Sequence, residues 1–249
     1  MSDLKLVIVG AYGGIGQALC REVAAKGCQA FLIGRDSQKL SDVTQRYGFP
    51  SFVADASDWD QMDIGMDSAS QSMQGINAVV CLAGSVLLKP LHLTSRAEWD
   101  STLQTNLTAA AGTLRAAVSR MKDGGSVVLM SSAAAGIGLS NHEAIAAGKA
   151  GIEGLVRSAA MTYAAKAIRV NAVAPGLVQT PLTQRVWSNA RSAEVSLAMH
   201  PLGRFGKPEE IARAIYFLIE PSNNWITGQI LGVDGGLGTL KPTGTPKSL

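Results

Sequence analysis

Three glycines, Gly10, Gly14 and Gly16, stand in the spacing G-x-x-x-G-x-G, directly after an aliphatic run and before a helical pattern. Glycine at such positions permits backbone angles closed to other residues and lets the chain approach a pyrophosphate closely. A helix starting there presents free N–H groups and its positive dipole end to the phosphate charge. The same spacing serves plain structural turns; a strand before it and a helix after it are the context a dinucleotide site requires. The second aliphatic run ends Leu32-Ile33-Gly34-Arg35. An acidic residue at that point accepts hydrogen bonds from both ribose hydroxyls, whereas a basic one favours a 2′-phosphate. Gly34 removes the carboxylate and Arg35 offers a planar cation suited to phosphate, so NADP(H) is the expected cofactor. Asp36, one residue on, keeps NAD(H) as the alternative, and Arg35 as a mere solvated loop charge is the plainer one. Asp55, after the third run, is placed to accept from an adenine amino group.

These residues need a scaffold that brings loop ends together. Short apolar runs at Lys5–Val9, Ala30–Ile33, Ser51–Val53, Ala78–Leu82, Ser126–Met130, Arg169–Val173 and Gln229–Val233 read as strands. Most are uniformly apolar, as expected where helices cover both faces of a sheet. Helical patterns fall between them at Ile15–Lys26, Ser37–Tyr47, Asp58–Ser72, Glu98–Lys122, Glu143–Ala165 and Pro208–Leu218. Sustained strand–helix alternation predicts a single doubly wound Rossmann domain over residues 1–240, an α/β fold with a seven-stranded, mainly parallel sheet. A nucleotide then belongs at the carboxyl ends of the strands. Lys241 to Leu249, rich in Pro, Thr, Gly and Lys, reads as a loose tail.

Later segments extend the pattern. Ala83-Gly84 follows strand four, Asn106 lies in Thr105-Asn106-Leu107, Ser131-Ser132 closes strand five, and Lys149 lies on the next helix. Ile168-Arg169-Val170-Asn171-Ala172-Val173-Ala174-Pro175-Gly176, then Thr180, Pro201-Leu202-Gly203-Arg204 and Val233-Asp234-Gly235-Gly236 complete the series. In this order the residues resemble the short-chain dehydrogenases/reductases over nearly the whole chain. The resemblance implies an oxidoreductase acting on a carbonyl or alcohol. It assigns catalytic roles to Ser132, Asn106 and Lys149. Cofactor contacts are implied for Gly10, Tyr12, Gly14, Ile15, Gly16, Arg35, Asp55, Ala83, Gly84, Lys149, Pro175, Gly176, Val178 and Thr180. A lid over the substrate is implied for about residues 180–200, which include Arg185, Trp187 and Arg191.

One departure matters. The family's Y-x-x-x-K motif ends here on Lys149, and four residues earlier stands Ile145. Thirteen residues beyond Ser132, the usual family interval, falls on the same isoleucine. Cys81-Leu82 also replaces the paired asparagines of the family's N-N-A-G segment. In the family the tyrosine protonates the oxygen as hydride reaches the carbonyl carbon, and isoleucine has no proton to give. General acid catalysis is worth roughly 10²–10⁴-fold, so an uncompensated loss is severe. Tyr163 on the same helix lies about 27 Å away by helix rise and is excluded as a substitute. His142 is nearer: Ser140-x-x-Glu143 reads as a capping box that puts His142 in the first helical turn, three residues before Ile145. Histidine exchanges protons near neutral pH, although a helix N-terminus disfavours the imidazolium. An exposed helix-start residue without chemistry is the bland alternative.

Composition narrows the classes. Apolar residues make up 47%, charged residues 16%, and the formal charge is +3, which supports neither a nucleic-acid nor a membrane-surface role. Three scattered cysteines, Cys20, Cys28 and Cys81, follow no metal spacing and fit a reducing cytoplasm. Leu4 to Val9 is too short for a membrane span. The expected partner is a partly hydrophobic small molecule, and the family's habit implies a homodimer or homotetramer. Besides an oxidoreductase of atypical mechanism, two alternatives stand: a non-redox isomerase, cyclase or lyase on the same fold, and a catalytically silent nucleotide-binding sensor or partner.

Overall fold

The computed structural model describes residues 4–241, so of the predicted tail only Lys241 lies within the described residues. Seven strands, β1 (Lys5–Val9), β2 (Gln29–Gly34), β3 (Ser51–Val53), β4 (Ala78–Cys81), β5 (Gly125–Met130), β6 (Ile168–Pro175) and β7 (Ile230–Val233), form one sheet in the order β3-β2-β1-β4-β5-β6-β7. Every neighbouring pair is parallel, where the sequence suggested a mainly parallel sheet. The helices are α1 (Gly14–Ala25), α2 (Ser37–Tyr47), α3 (Trp59–Met73), α4 (Arg96–Leu103), α5 (Ala109–Val118), α6 (Glu143–Tyr163), α7 (Gln184–Trp187), α8 (Ala190–Met199) and α9 (Pro208–Ile219).

Strand side chains alternate between two cores because successive Cβ atoms point to opposite faces. Val7 and Val9 join the core with Met62, Leu114 and Ile152 under α3, α5 and α6. Leu6 and Ile8 join the other with Leu19, Leu40 and Ile215 under α1, α2 and α9. Along β1, β2, β4, β5 and β6 nearly every residue is buried on both faces, which explains why these strands carry no polar alternation; the edge strands β3 and β7 are partly exposed. Strand order reverses direction between β1 and β4, and the crevice above their carboxyl ends is where this architecture accepts ligands.

Two expected helices differ from expectation. The stretch predicted as Glu98–Lys122 starts earlier, at a capping box of Ser95 and Glu98, and is broken by a π-helical turn at Gln104–Thr108. The other is α6: Ser140 and Glu143 form no capping box. Asn141 takes a left-handed φ of 64°, turning the chain so that His142, not Ser140, is the residue before the first helical turn.

Candidate active site

Gly10 follows β1 with φ 84°, and a Cβ there would lie 3.0 Å from the Ala83 nitrogen of the segment after β4. A Cβ on Gly16 would sit 2.5 Å from the Ala11 carbonyl oxygen, so any side chain would push α1 off the loop. On Gly14 it would meet the Thr180 methyl at 3.0 Å. The loop is a cradle of bare backbone at the N-terminus of α1, which fits a diphosphate. Leading away from it is a cavity of about 600 Å³.

Of the residues singled out from sequence, Gly10, Gly14, Ile15, Gly16, Gly84, Asn106, Ser132, His142, Ile145, Lys149, Pro175, Gly176, Val178 and Thr180 all line that one cavity. Tyr12, Arg35, Asp55 and Ala83 do not. Tyr12 instead lays its ring over the end of β2: a Cβ on Gly34 would come within 2.6 Å of its Cε1. Arg35 is exposed and makes no hydrogen bond or ion pair among the described residues. Asp36 is engaged locally, one oxygen accepting from the Lys39 N–H at 3.1 Å and the other pairing with Lys39 Nζ at 3.1 Å. That N–H above all holds its carboxyl below the ordinary range. Asp55 accepts from both the N–H (2.9 Å) and the hydroxyl (2.7 Å) of Ser57. Burial pushes its carboxyl up, but Ser57 and the nearby Arg35 charge outweigh burial and leave it lowered.

At the floor of the cavity, α6 carries its buried face in the order Ile145, Gly148, Lys149, Ile152. Ile145 and Lys149 are four residues apart, so they stack on one side of the helix. The Lys149 ammonium is buried and donates to the Met130 carbonyl at 2.8 Å. Loss of solvent lowers its pKa from 10.5 to about 8. Gly84 leaves space for it, since a Cβ there would lie 3.5 Å from Lys149 Nζ and 3.1 Å from Asn106 Oδ1.

Asn106 owes its position to the π turn, a distortion that frees a backbone carbonyl from the helical ladder. Its side-chain amide donates to Thr102 O four residues back at 2.9 Å and to Ser85 Oγ at 3.1 Å, while Oδ1 accepts from the Ser85 N–H at 3.3 Å. Ser132 starts a 3₁₀ turn, its Oγ accepting from the Ala134 N–H at 3.2 Å. Ser131, beside it, donates to Glu153 Oε1 at 2.9 Å. His142 Nδ1 lies 2.7 Å from the Ser140 carbonyl. A carbonyl only accepts, so Nδ1 carries the proton and Nε2 is the ring nitrogen left for exchange.

Sequence reasoning missed His200 and Ser85. His200 is buried beside the cavity: its Nε2 accepts from the Leu177 N–H at 3.1 Å, and Nδ1 donates to Ser196 O at 2.6 Å. It therefore ties α8 to the turn after Pro175-Gly176 in the neutral tautomer. Nothing in its neighbours along the chain signals this, because the contact spans 23 residues. The segment at about 180–200, expected from the resemblance to be a lid, contains α7 and α8, with Asn189 capping the second through the Ser192 N–H at 3.0 Å. No helix among the described residues is long and apolar enough to cross a membrane.

Comparison with known proteins agrees with this architecture. Residues 10–238 match the family model described as Enoyl-(Acyl carrier protein) reductase. A cis-4-hydroxycyclohexanecarboxylate dehydrogenase from Sinomonas cyclohexanicum is 37% identical, over 92% of this chain and 94% of that protein. A 3-oxoacyl-acyl-carrier-protein reductase from Thermotoga maritima is 34% identical, over 93% and 96%. Among solved structures, a short-chain dehydrogenase/reductase from Brucella melitensis superposes with a TM-score of 0.89 at 31% identity, covering 95% of this chain and 97% of that one. A short-chain type dehydrogenase/reductase from Mycobacterium ulcerans gives a TM-score of 0.93 at 26% identity, covering 97% and 92%. The chain belongs to the short-chain dehydrogenases/reductases, a family of oxidoreductases that bind NAD(H) or NADP(H).

Proposed function

We propose that this protein is an NADP(H)-dependent oxidoreductase that interconverts a carbonyl and an alcohol, with a proton-transfer site unlike the family's usual one. One observation carries the proposal: a single cavity joins the bare-backbone cradle of Gly10–Gly16 to the buried Lys149 ammonium and the Ser132 hydroxyl. The cradle N–H groups would hold the diphosphate, and Pro175, Gly176, Val178 and Thr180 the nicotinamide end. Arg35 is the group for a 2′-phosphate. Asp36, the competing ribose acceptor, is already engaged by Lys39, which favours NADP(H) over NAD(H). Bound NADPH would supply the hydride.

The chain's own residues must handle the oxygen. Ser132 Oγ donates a hydrogen bond to it as it gains charge, and Asn106 keeps the loop at Ser85 in register. Ile145 offers no proton. Lys149, with a pKa of about 8, is mostly protonated at pH 7 and acidic enough to give its proton up, which makes it the donor we favour. A second donor is supported by the Ser140 carbonyl, which pins His142 Nδ1–H and leaves Nε2 to carry a proton into the cavity.

An NADPH-consumption assay against a panel of aldehydes and ketones, run across pH, tests this. With Lys149 as donor, the reduction rate is level below about pH 8 and falls above it, and His142→Ala leaves the profile unchanged. A limb of the pH profile that vanishes in His142→Ala hands the proton to His142. NADPH binding with no turnover of any carbonyl replaces the oxidoreductase with a silent nucleotide-binding protein or a non-redox enzyme.

A further inference from the structure

The cavity wall has a one-sided charge. Among the described residues its lining includes the cations Lys149 and Arg191 and not one aspartate or glutamate. Lys149 is spoken for at the floor by the Met130 carbonyl. Arg191, exposed at the start of α8, makes no hydrogen bond or ion pair among the described residues; the exposed Arg35, Arg157 and Arg185 share that, but of these four only Arg191 lines the cavity. An arginine without a partner on the wall of a cavity without acids has its guanidinium free to pair with an anion that enters the cavity.

The rest of the α8 wall says what the anion is attached to. Arg191, Ser192, Val195, Ser196 and Met199 face the cavity at the spacing of one helical stripe. Beyond Arg191 the stripe alternates Ser192 and Ser196 with the apolar Val195 and Met199, and Leu88, Leu139 and Val186 add aliphatic surface to the same cavity. His200, just past the end of α8, is fixed to Leu177 next to the Gly176 turn, so that end of the helix is anchored beside the reaction floor. Nine residues of rise put Arg191 about 13 Å further along the helix. The cationic group and the floor are thus separated by a span whose aliphatic contacts come from Val195, Met199 and Val186.

We propose that the substrate is an apolar acid: a carbonyl or alcohol compound whose ring or aliphatic chain lies among Val195, Met199 and Val186 and whose carboxylate pairs with the Arg191 guanidinium. The carbonyl part rests on the oxidoreductase function proposed above; the acid-binding part does not. The rival anion is a phosphate of the nucleotide, which would make Arg191 a cofactor residue.

Calorimetric titration of the full chain, with and without saturating NADPH, separates these. The probes are cyclohexanecarboxylate and octanoate against their methyl esters, none of which carries a ketone or hydroxyl to react. Each acid is expected to bind about tenfold or more tightly than its ester. Arg191→Gln abolishes that preference, Arg191→Lys keeps most of it, and NADPH affinity stays unchanged in both. Arg191 has no partner to lose, so both variants should melt with the parent. Acids that bind no better than esters, acids that do not bind at all, or a preference that survives Arg191→Gln each overturn the proposal. So does an Arg191→Gln variant that loses NADPH affinity and keeps the acid. If acids bind through Arg191 but NADPH never binds, the acid site stands and the oxidoreductase function falls.

Discussion

The two ends of the cavity are made of different material. At the nucleotide end the wall is backbone: Gly10, Gly14 and Gly16 are placed where a Cβ would meet Ala83, Thr180 or the chain itself. At the α7–α8 end the wall is side chains on short helices and on the loop after β4. Many of them are half in water, with Leu88, Leu182 and Val195 at 41%, 57% and 58% exposure. A backbone wall cannot be retuned without moving strands, so it suits a ligand of constant shape. A wall of exposed side chains can be rewritten one residue at a time, so it suits the ligand that differs between relatives. Ile145, Lys149 and Ser132 form the seam between the two, and Ile145 puts an aliphatic group there.

The seam gives the largest expected effect. Ile145→Tyr puts an acidic hydroxyl four residues from Lys149 and should raise carbonyl reduction about 10²-fold, at the low end of general acid catalysis because on the proposed mechanism Lys149 is already a donor. NADPH affinity should not move. Steady-state kinetics with nucleotide titration in parallel checks both; an unchanged rate would mean the seam is already complete without tyrosine.

Breaking the backbone wall comes next. In Gly16→Ala the new methyl meets the Ala11 carbonyl at 2.5 Å and must displace α1. NADPH affinity should fall about 100-fold, which is about 3 kcal/mol. The acid binding proposed at Arg191 should survive, because that wall is separate. Calorimetry on the one variant with both ligands decides whether the ends are independent. A smaller effect is expected at the rim of the nucleotide end: Arg35→Ala should cut the preference for NADPH over NADH about tenfold, by loss of a charge-assisted contact. Equal loss for both nucleotides would remove Arg35 from the 2′-phosphate.

The smallest effect is on stability. Lys149 titrates at 10.5 in the unfolded chain and at about 8 when folded. Between those values the unfolded state holds more protons, so the ligand-free protein gains stability as pH rises from 8 towards 10.5. Below 8 the cost of burying the ammonium is present in full. Lys149→Met removes that cost and should raise the melting temperature a few degrees at pH 7 and less at pH 10. A lower melting temperature by the same amount at both would show that the bond to Met130 outweighs burial.

What the sequence revealed follows the range of the interactions. The glycine loop and the strand runs were readable because their physics lies within a few residues of chain. Ile145 stood out by counting from Lys149 and from Ser132, and both anchors line the same cavity as Ile145 in the folded chain. The helix start at Ser140 was misread because Asn141 adopts a left-handed turn that composition does not announce. The π turn at Asn106 was invisible for a similar reason: the pattern of apolar residues continues through it, and only the Thr102 carbonyl shows where the ladder opens. His200 was missed because its partner is a backbone N–H on another segment. Arg191 was noted only as part of the lid, since its isolation appears once the cavity's other residues are known.

A fluorescence titration of the purified protein with NADPH, and in parallel with NADH, tests the central claim most directly. Affinity for NADPH of about micromolar or better, with NADH clearly weaker, is the result expected of the glycine cradle and Arg35. Failure of either nucleotide to bind would contradict it and leave the cavity to some other ligand.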